Sequence, residues 1–172
     1  MKKILLCFLV SASLIACTNQ ETKTEAKTET TGSVTTTGPD VDLIKKSITA
    51  FADGDWATYA STYADTAKSY HNIWPSNTDT TVGVKIPVLI EGFKKQRELM
   101  DGKLTMGGTI FEVVTMPDGS KYGHVWVDFT WKNKKGEVGK SVLFDSYGIN
   151  KDGKISYEWP IYDTKDVVRL AQ

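Results

Sequence analysis

Apolar residues along this chain recur with two different periods, and the change between them divides the sequence. From Asp40 the repeat is helical. Val41, Ile44, Ile48 and Phe51 fall at i, i+3, i+7 and i+10, with Asp40 or Asp42 placed to cap the start and Gly54 to end the helix. Asp55 then caps a second predicted helix whose stripe is Trp56, Tyr59, Ala60 and Tyr63. A strand-like Lys68 to Asn72 and a polar loop, Ser76 to Thr81, follow. A third helix is predicted from about Pro87, a residue suited to the first turn, to Met100, with Leu89, Ile90, Phe93 and Met100 facing inward.

After Met100 the pattern changes. Leu104 to Met116, Tyr122 to Asn133, Val138 to Asn150 and Lys154 to Tyr162 are rich in β-branched and aromatic residues. Pro117-Asp118-Gly119, Lys135-Gly136 and Lys151-Asp152-Gly153 separate them as hairpin turns. Helices followed by an antiparallel meander make an α+β domain. Within Tyr122 to Asn133, Val125, Val127, Phe129 and Trp131 form the more apolar face and are expected to meet the helices. His124, Trp126 and Asp128 then lie outside; the opposite register would bring Asp128 beside Asp145.

The N-terminal segment reads differently. Lys2 and Lys3 precede an apolar run, Ile4 to Val10, and Leu14-Ile15-Ala16 lead into Cys17. The stretch from Ile4 to Ala16 is too short for a spanning helix, which needs about 20 residues, so a processed signal is the better reading. Leu-Ile-Ala-Cys resembles the bacterial lipobox. That resemblance implies cleavage after residue 16 and acylation of Cys17, and several acyl chains hold a protein stably where one does not. Cys7 leaves with the signal, so the domain keeps no cysteine for a bridge or a thiolate metal site. Residues 17–38, dominated by Thr, Glu and Lys, read as a disordered tether with a reach of roughly 25 Å. Residues 39–172 form the domain. The expected place is the cell envelope, with the outer membrane favoured because Thr18 stands where an inner-membrane retention aspartate would, and the domain facing the periplasm or the cell surface.

The chain holds 21 basic and 21 acidic residues; loss of Lys2 and Lys3 leaves 19 against 21. No basic face stands out, which argues against a nucleic-acid partner. Membrane association is expected through the lipid alone.

Ala52-Asp53-Gly54-Asp55-Trp56, Tyr59-Ala60, Tyr63-Ala64-Asp65, Gly83, Asp152-Gly153-Lys154-Ile155 and Glu158-Trp159 together resemble the SnoaL-like, or NTF2-like, superfamily over about Asp40 to Tyr162. The resemblance implies an NTF2-like cone, three N-terminal helices packed on a curved antiparallel sheet, with a pocket at the open end and frequent dimerisation through the sheet. Such domains include isomerases, cyclases, dehydratases, epoxide hydrolases and non-catalytic binding proteins, so the fold does not decide the function.

The candidate chemistry is acid–base. Asp145 shares an otherwise apolar strand face with Leu143, Tyr147 and Ile149, where burial would raise its pKa towards neutrality. It stands near the acid/base aspartate of the polyketide-cyclase members. His71 falls where ketosteroid isomerases carry their base, and histidine titrates near neutral pH; Ser47, near the position of their oxyanion tyrosine, cannot replace it. No arginine lies near Asp128 in sequence, which removes the epoxide-hydrolase arrangement. Two distant histidines make no metal site, and neither a metal nor a cofactor is expected. Trp56, Tyr59, Tyr63, Tyr70, Trp74, Tyr147, Tyr157 and Trp159 would border the cone and suit a small, partly apolar ligand. Against each stands simple core packing, except for Trp74, which precedes Pro75 in a polar loop where packing demands are small. Three functions remain open: a small-molecule binding domain, a lyase, cyclase or isomerase using Asp145 or His71, and a protein-interaction module.

Overall fold

The computed structural model describes residues 31–70 and 83–170, which belong to one compact unit beginning at Thr31. Cys17, His71 and Trp74 lie outside the described residues. The elements are β1 (Ser33–Thr35), α1 (Pro39–Asp53), α2 (Trp56–Ser61), β2 (Tyr63–Ser69), β3 (Val84–Lys85), α3 (Ile86–Arg97), β4 (Thr105–Thr115), β5 (Lys121–Lys132), β6 (Val138–Ile149), β7 (Ile155–Tyr162) and α4 (Lys165–Leu170).

Helix α1 starts at Gly38, not at an aspartate cap. Pro39 occupies the first turn, and no side chain caps the end. Asp40 and Asp42 sit inside that turn, where the helix dipole favours acidic groups, and Asp40 also pairs with Lys121 at 2.6 Å. Gly54, at φ 73°, closes the helix in the left-handed conformation that glycine adopts most cheaply. Asp55 does cap α2: its side chain accepts the Thr58 amide at 3.0 Å. That helix is shorter than its stripe suggested, because Tyr63 opens strand β2 instead of closing α2.

Seven strands form one sheet in the order β1-β4-β5-β6-β7-β2-β3. The meander β4–β7 is antiparallel throughout, and Gly119, Gly136 and Gly153 sit in its three turns with φ of 84°, 82° and 66°. The sheet as a whole is not antiparallel. Strand β2 returns parallel to β7, with Lys68 opposite Tyr157 and Ser69 opposite Glu158. Two further elements depart from the sequence reading. Ser33–Thr35, inside the polar 17–38 stretch that reads as a tether, pairs with β4 through Val34↔Val114. Helix α4 packs on β6 after the meander, where no helix was predicted.

The core lies between the helices and one face of the sheet. Val41, Ile44 and Ile48 of α1 and Ile86, Leu89 and Ile90 of α3 meet Val125, Val127, Phe129 and Trp131 of β5. The expected face of β5 is therefore the inner one, and Asp128 is exposed on the outer side. Close approach demands small residues at several places, two of them on β5 and β6 under the helices. A Cβ on Gly123 would lie 1.9 Å from the Ile44 side chain, and one on Gly139 would lie 2.3 Å from the Trp131 indole. No helix among the described residues is long and apolar enough to cross a membrane.

Candidate functional site

Alternation along β6 sends Ser141, Leu143, Asp145 and Tyr147 to the inner face, and β7 adds Glu158, Pro160 and Tyr162 beside them. Opposite stand Ile48 and Phe51 of α1 and Phe93, Gln96 and Arg97 of α3. Between the two walls is a cavity of about 80 Å³, with Phe129 and Trp131 of β5 completing its apolar lining. One water needs roughly 10–15 Å³ of such space, so several waters or a small organic group fit.

The sheet side of this cavity carries buried polar groups. Asp145 and Glu158 are 3 % and 2 % exposed. The Tyr59 hydroxyl donates to Glu158 Oε2 at 3.0 Å, Tyr63 donates to the same oxygen, and the two phenol oxygens are 3.0 Å apart. Ser69 also hydrogen-bonds the Glu158 carboxylate. Asp145 Oδ1 accepts the Trp159 amide at 3.1 Å, and the Tyr147 hydroxyl donates to the Asp145 side chain.

These surroundings separate the two carboxyls. Burial, and then the charge of Glu158, push the Asp145 carboxyl well above the usual carboxylate range. Burial raises Glu158 as well, while the hydroxyls of Tyr63, Ser69 and Tyr59 pull it back. Two buried carboxyls in one site do not both ionise readily, so both are pushed towards the protonated form, with Asp145 held well above its ordinary value. The phenols of Tyr59, Tyr63 and Tyr147 are pushed up, first by burial and next by the adjacent carboxylates, so they remain donors.

The structure sorts the sequence candidates. Asp145, Tyr59 and Tyr147 line the cavity, and Tyr63 reaches its floor through Glu158. Trp56 lies behind the wall, stacked on Phe93 at 6.1 Å. Tyr70, Tyr157 and Trp159 do not border the cavity. They form a separate cluster, with Tyr70 6.4 Å from Tyr157 and 6.0 Å from Trp159. The reason is local. Between Gly148 and Ile149 the β6–β7 register shifts, so Ile155 and Glu158 both point inward and the intervening alternation breaks. Simple period-two reading from Ile155 would send Tyr157, Trp159 and Ile161 inside; the irregularity sends them out.

The hydrophobic pattern assigns no role to Glu158, Arg97 or Gln96. Glu158 was visible only as part of a motif, and its row (Glu158, Pro160, Tyr162) is the less apolar one on its strand. Ser47 is fully buried with no hydrogen-bond partner for its hydroxyl among the described residues, and it is not among the cavity-lining residues. No cluster of three or more metal-ligating side chains occurs among the described residues.

No family model matches the sequence, and no curated protein matches it either. Solved structures do. The BvnE pinacolase of Penicillium brevicompactum aligns with a TM-score of 0.59 at 10 % identity, over 77 % of this chain and 88 % of its own. A candidate SnoaL-like polyketide cyclase of Shewanella putrefaciens gives 0.55 at 8 %, over 78 % and 86 %. An NTF2-like protein of Burkholderia xenovorans gives 0.53 at 15 %, over 78 % and 96 %. At these identities the likeness speaks for the fold alone: this chain has the α+β fold of SnoaL-like and NTF2-like domains.

Proposed function

We propose that the domain binds a small, partly apolar molecule in this cavity and moves a proton on it, with Asp145 as the acid/base. The observation that carries the reading is the buried Asp145–Glu158 pair at the floor of an apolar cavity. A desolvated carboxyl whose pKa is raised by burial and by a neighbouring carboxylate, set in the wall of an apolar cavity, is suited to give or take a proton there. The reaction type is an isomerisation, cyclisation or elimination that begins with a C–H proton and needs no metal or cofactor. Similar structures bearing cyclase, pinacolase and ketosteroid isomerase-like names support this class. His71, next to Tyr70, is the alternative base on sequence grounds.

A substrate-independent probe tests the proposal. In 5-nitrobenzisoxazole a carboxylate takes the ring C–H proton, the N–O bond breaks, and the coloured cyanonitrophenolate is released. The purified domain should accelerate this above buffer carboxylate, with a rate that rises with pH as Asp145 ionises. Asp145→Asn should abolish that acceleration. Equal rates for both proteins at every pH would overturn the assignment. Mass spectrometry of small molecules that co-purify with the domain would then name the natural ligand.

The placement is proposed with the function: residues 1–16 are a signal peptide, Cys17 is lipidated, and the domain is held at the envelope, with the outer membrane favoured. Its support is the Leu14-Ile15-Ala16-Cys17 sequence after a short apolar run. Incorporation of a labelled palmitate, lost in Cys17→Ser, would bear it out; labelling that persists in the variant would remove it.

A homodimer through the outer sheet face is the third part of the proposal. Ile110, Trp126, Phe144 and Ile161 lie opposite one another in a single row across β4–β7, and Ile110, Trp126 and Ile161 are 61 %, 38 % and 54 % exposed. Such a row favours association through apolar contact. Trp126→Glu should turn a dimer into a monomer by light scattering; a wild-type monomer at high concentration rejects it.

A further inference from the structure

The two walls of the cavity have opposite hydrogen-bonding needs. On the sheet wall, Glu158 already accepts from Tyr59, Tyr63 and Ser69, and Asp145 from the Trp159 amide and the Tyr147 hydroxyl. Few lone pairs are left there for a ligand that brings donors. The helix wall is different. Gln96 and Arg97 both line the cavity near the end of α3. The Gln96 side chain makes no hydrogen bond to any described residue. Arg97 donates to the backbone carbonyls of Phe51 at 2.5 Å and Ala52 at 3.3 Å, the last turn of α1. A guanidinium carries five N–H groups, so these two bonds leave three.

Arg97 is also held in place and short of water. Its guanidinium lies 5.3 Å over the Phe51 ring and 5.8 Å over the Trp56 ring. No carboxylate lies within ion-pair distance of it among the described residues; Asp53, the nearest acidic residue in electrostatic terms, is taken by Lys103 at 2.8 Å. Burial lowers its pKa to about 10, the mark of a cation whose hydration is only partly replaced. Capping α1 explains two of its N–H groups. It does not explain why a partly buried cation and an amide with no hydrogen bond to any described residue line the same apolar cavity.

We infer that Gln96 and Arg97 are the ligand's polar anchor, and that the ligand is an amphipathic acid whose apolar body fills the cavity and whose carboxylate meets these donors. A carboxylate supplies the two parallel acceptor oxygens that suit a guanidinium. A cationic ligand is disfavoured at this wall, because Arg97 repels it. The inference rests on the proposed ligand-binding role of the cavity and adds the chemical class of the ligand.

Three probes of one shape test it: 3-phenylpropanoate, 3-phenylpropan-1-ol and 3-phenylpropylammonium, titrated into the purified domain by tryptophan fluorescence or NMR. The carboxylate should bind at least tenfold more tightly than the alcohol, and the ammonium more weakly than either. Arg97→Met should bring the carboxylate-to-alcohol ratio close to one. Because Arg97 also caps α1, the alcohol serves as the internal reference: general damage lowers both affinities and leaves the ratio unchanged. Gln96→Leu, which spares that cap, should narrow the ratio several-fold. A ratio near one in the wild type, or a ratio that survives both substitutions, overturns the anchor. If the benzisoxazole reaction proceeds and depends on Asp145 while the carboxylate shows no preference, the anchor alone falls. If no probe binds and no reaction occurs, the cavity reading falls with it.

Discussion

The two faces of β5 and β6 differ less in composition than in surroundings. On the inner side stand Phe129, Trp131, Asp145 and Tyr147; on the outer side stand His124, Trp126, Asp128 and Phe144. Each set has rings and an aspartate. Inside, the rings pack under α1 and α3, and Asp145 is sealed among hydroxyls and an amide. Outside, His124, Trp126 and Phe144 pack on each other at 4.9 to 6.0 Å, His124 meets Glu112 at 3.2 Å, and Asp128 is open to water. A carboxylate in water keeps its hydration, whereas one beneath a helix layer must be neutralised or bonded. Chemical potential on this sheet therefore comes from the helix layer above it.

The largest test of that contrast is one residue type on both faces. Phe129→Ala should destabilise the domain by about 3–5 kcal/mol, because it opens a void in a packed core. Phe144→Ala on the outer face should cost about 1 kcal/mol or less at concentrations where the chain is monomeric. Chemical denaturation of both variants measures the difference, and equal losses would mean that the outer face is covered in solution.

The second test concerns pH. A carboxyl whose pKa is raised on folding binds its proton more tightly in the native state than in the unfolded chain, so stability falls as pH rises. For Asp145 the decline begins near its ordinary value of 3.8 and continues up to its raised native pKa. Asp145→Asn should flatten that slope and leave the variant more stable than wild type at alkaline pH. Asp128→Asn, on the outer face, should leave the slope in place. Thermal unfolding across pH 4 to 9 reads both, and a wild-type curve that rises over this range would refute the raised pKa of Asp145.

The smallest expected effect is at Ser47, whose hydroxyl is buried without a partner among the described residues. Ser47→Ala removes an uncompensated polar group, so it should be neutral or stabilising by up to about 1 kcal/mol. A loss of more than that would reveal a partner for the hydroxyl.

Much of the fold was legible because its signals are local. The helix of Val41, Ile44 and Ile48, the three glycine turns and the inner face of β5 each follow from a repeat or a turn residue within a few positions. The α2–β2 boundary was not legible, because Tyr63 continues a helical stripe while its backbone pairs with Ile155, far along the chain. The same holds for β1: Val34 is an ordinary residue in a polar stretch until β4 offers it an edge. At the site, Asp145 and Tyr147 could be read from alternation. The displacement of Tyr157 and Trp159 to the outer face could not, since a register shift leaves no mark in composition.

By itself, the sequence determined the α+β order, the meander and its turns, and the one aspartate on an apolar strand face, because each depends on neighbours along the chain. The tertiary structure alone decided that Glu158 lies beside Asp145, that Tyr59 and Tyr63 converge on Glu158, and that Arg97 faces them across a cavity. Those groups come from separate elements, and a carboxyl's proton affinity depends on what surrounds it in space. Only the packed sheet and helices bring them together and exclude the water that would otherwise leave Asp145 an ordinary carboxylate.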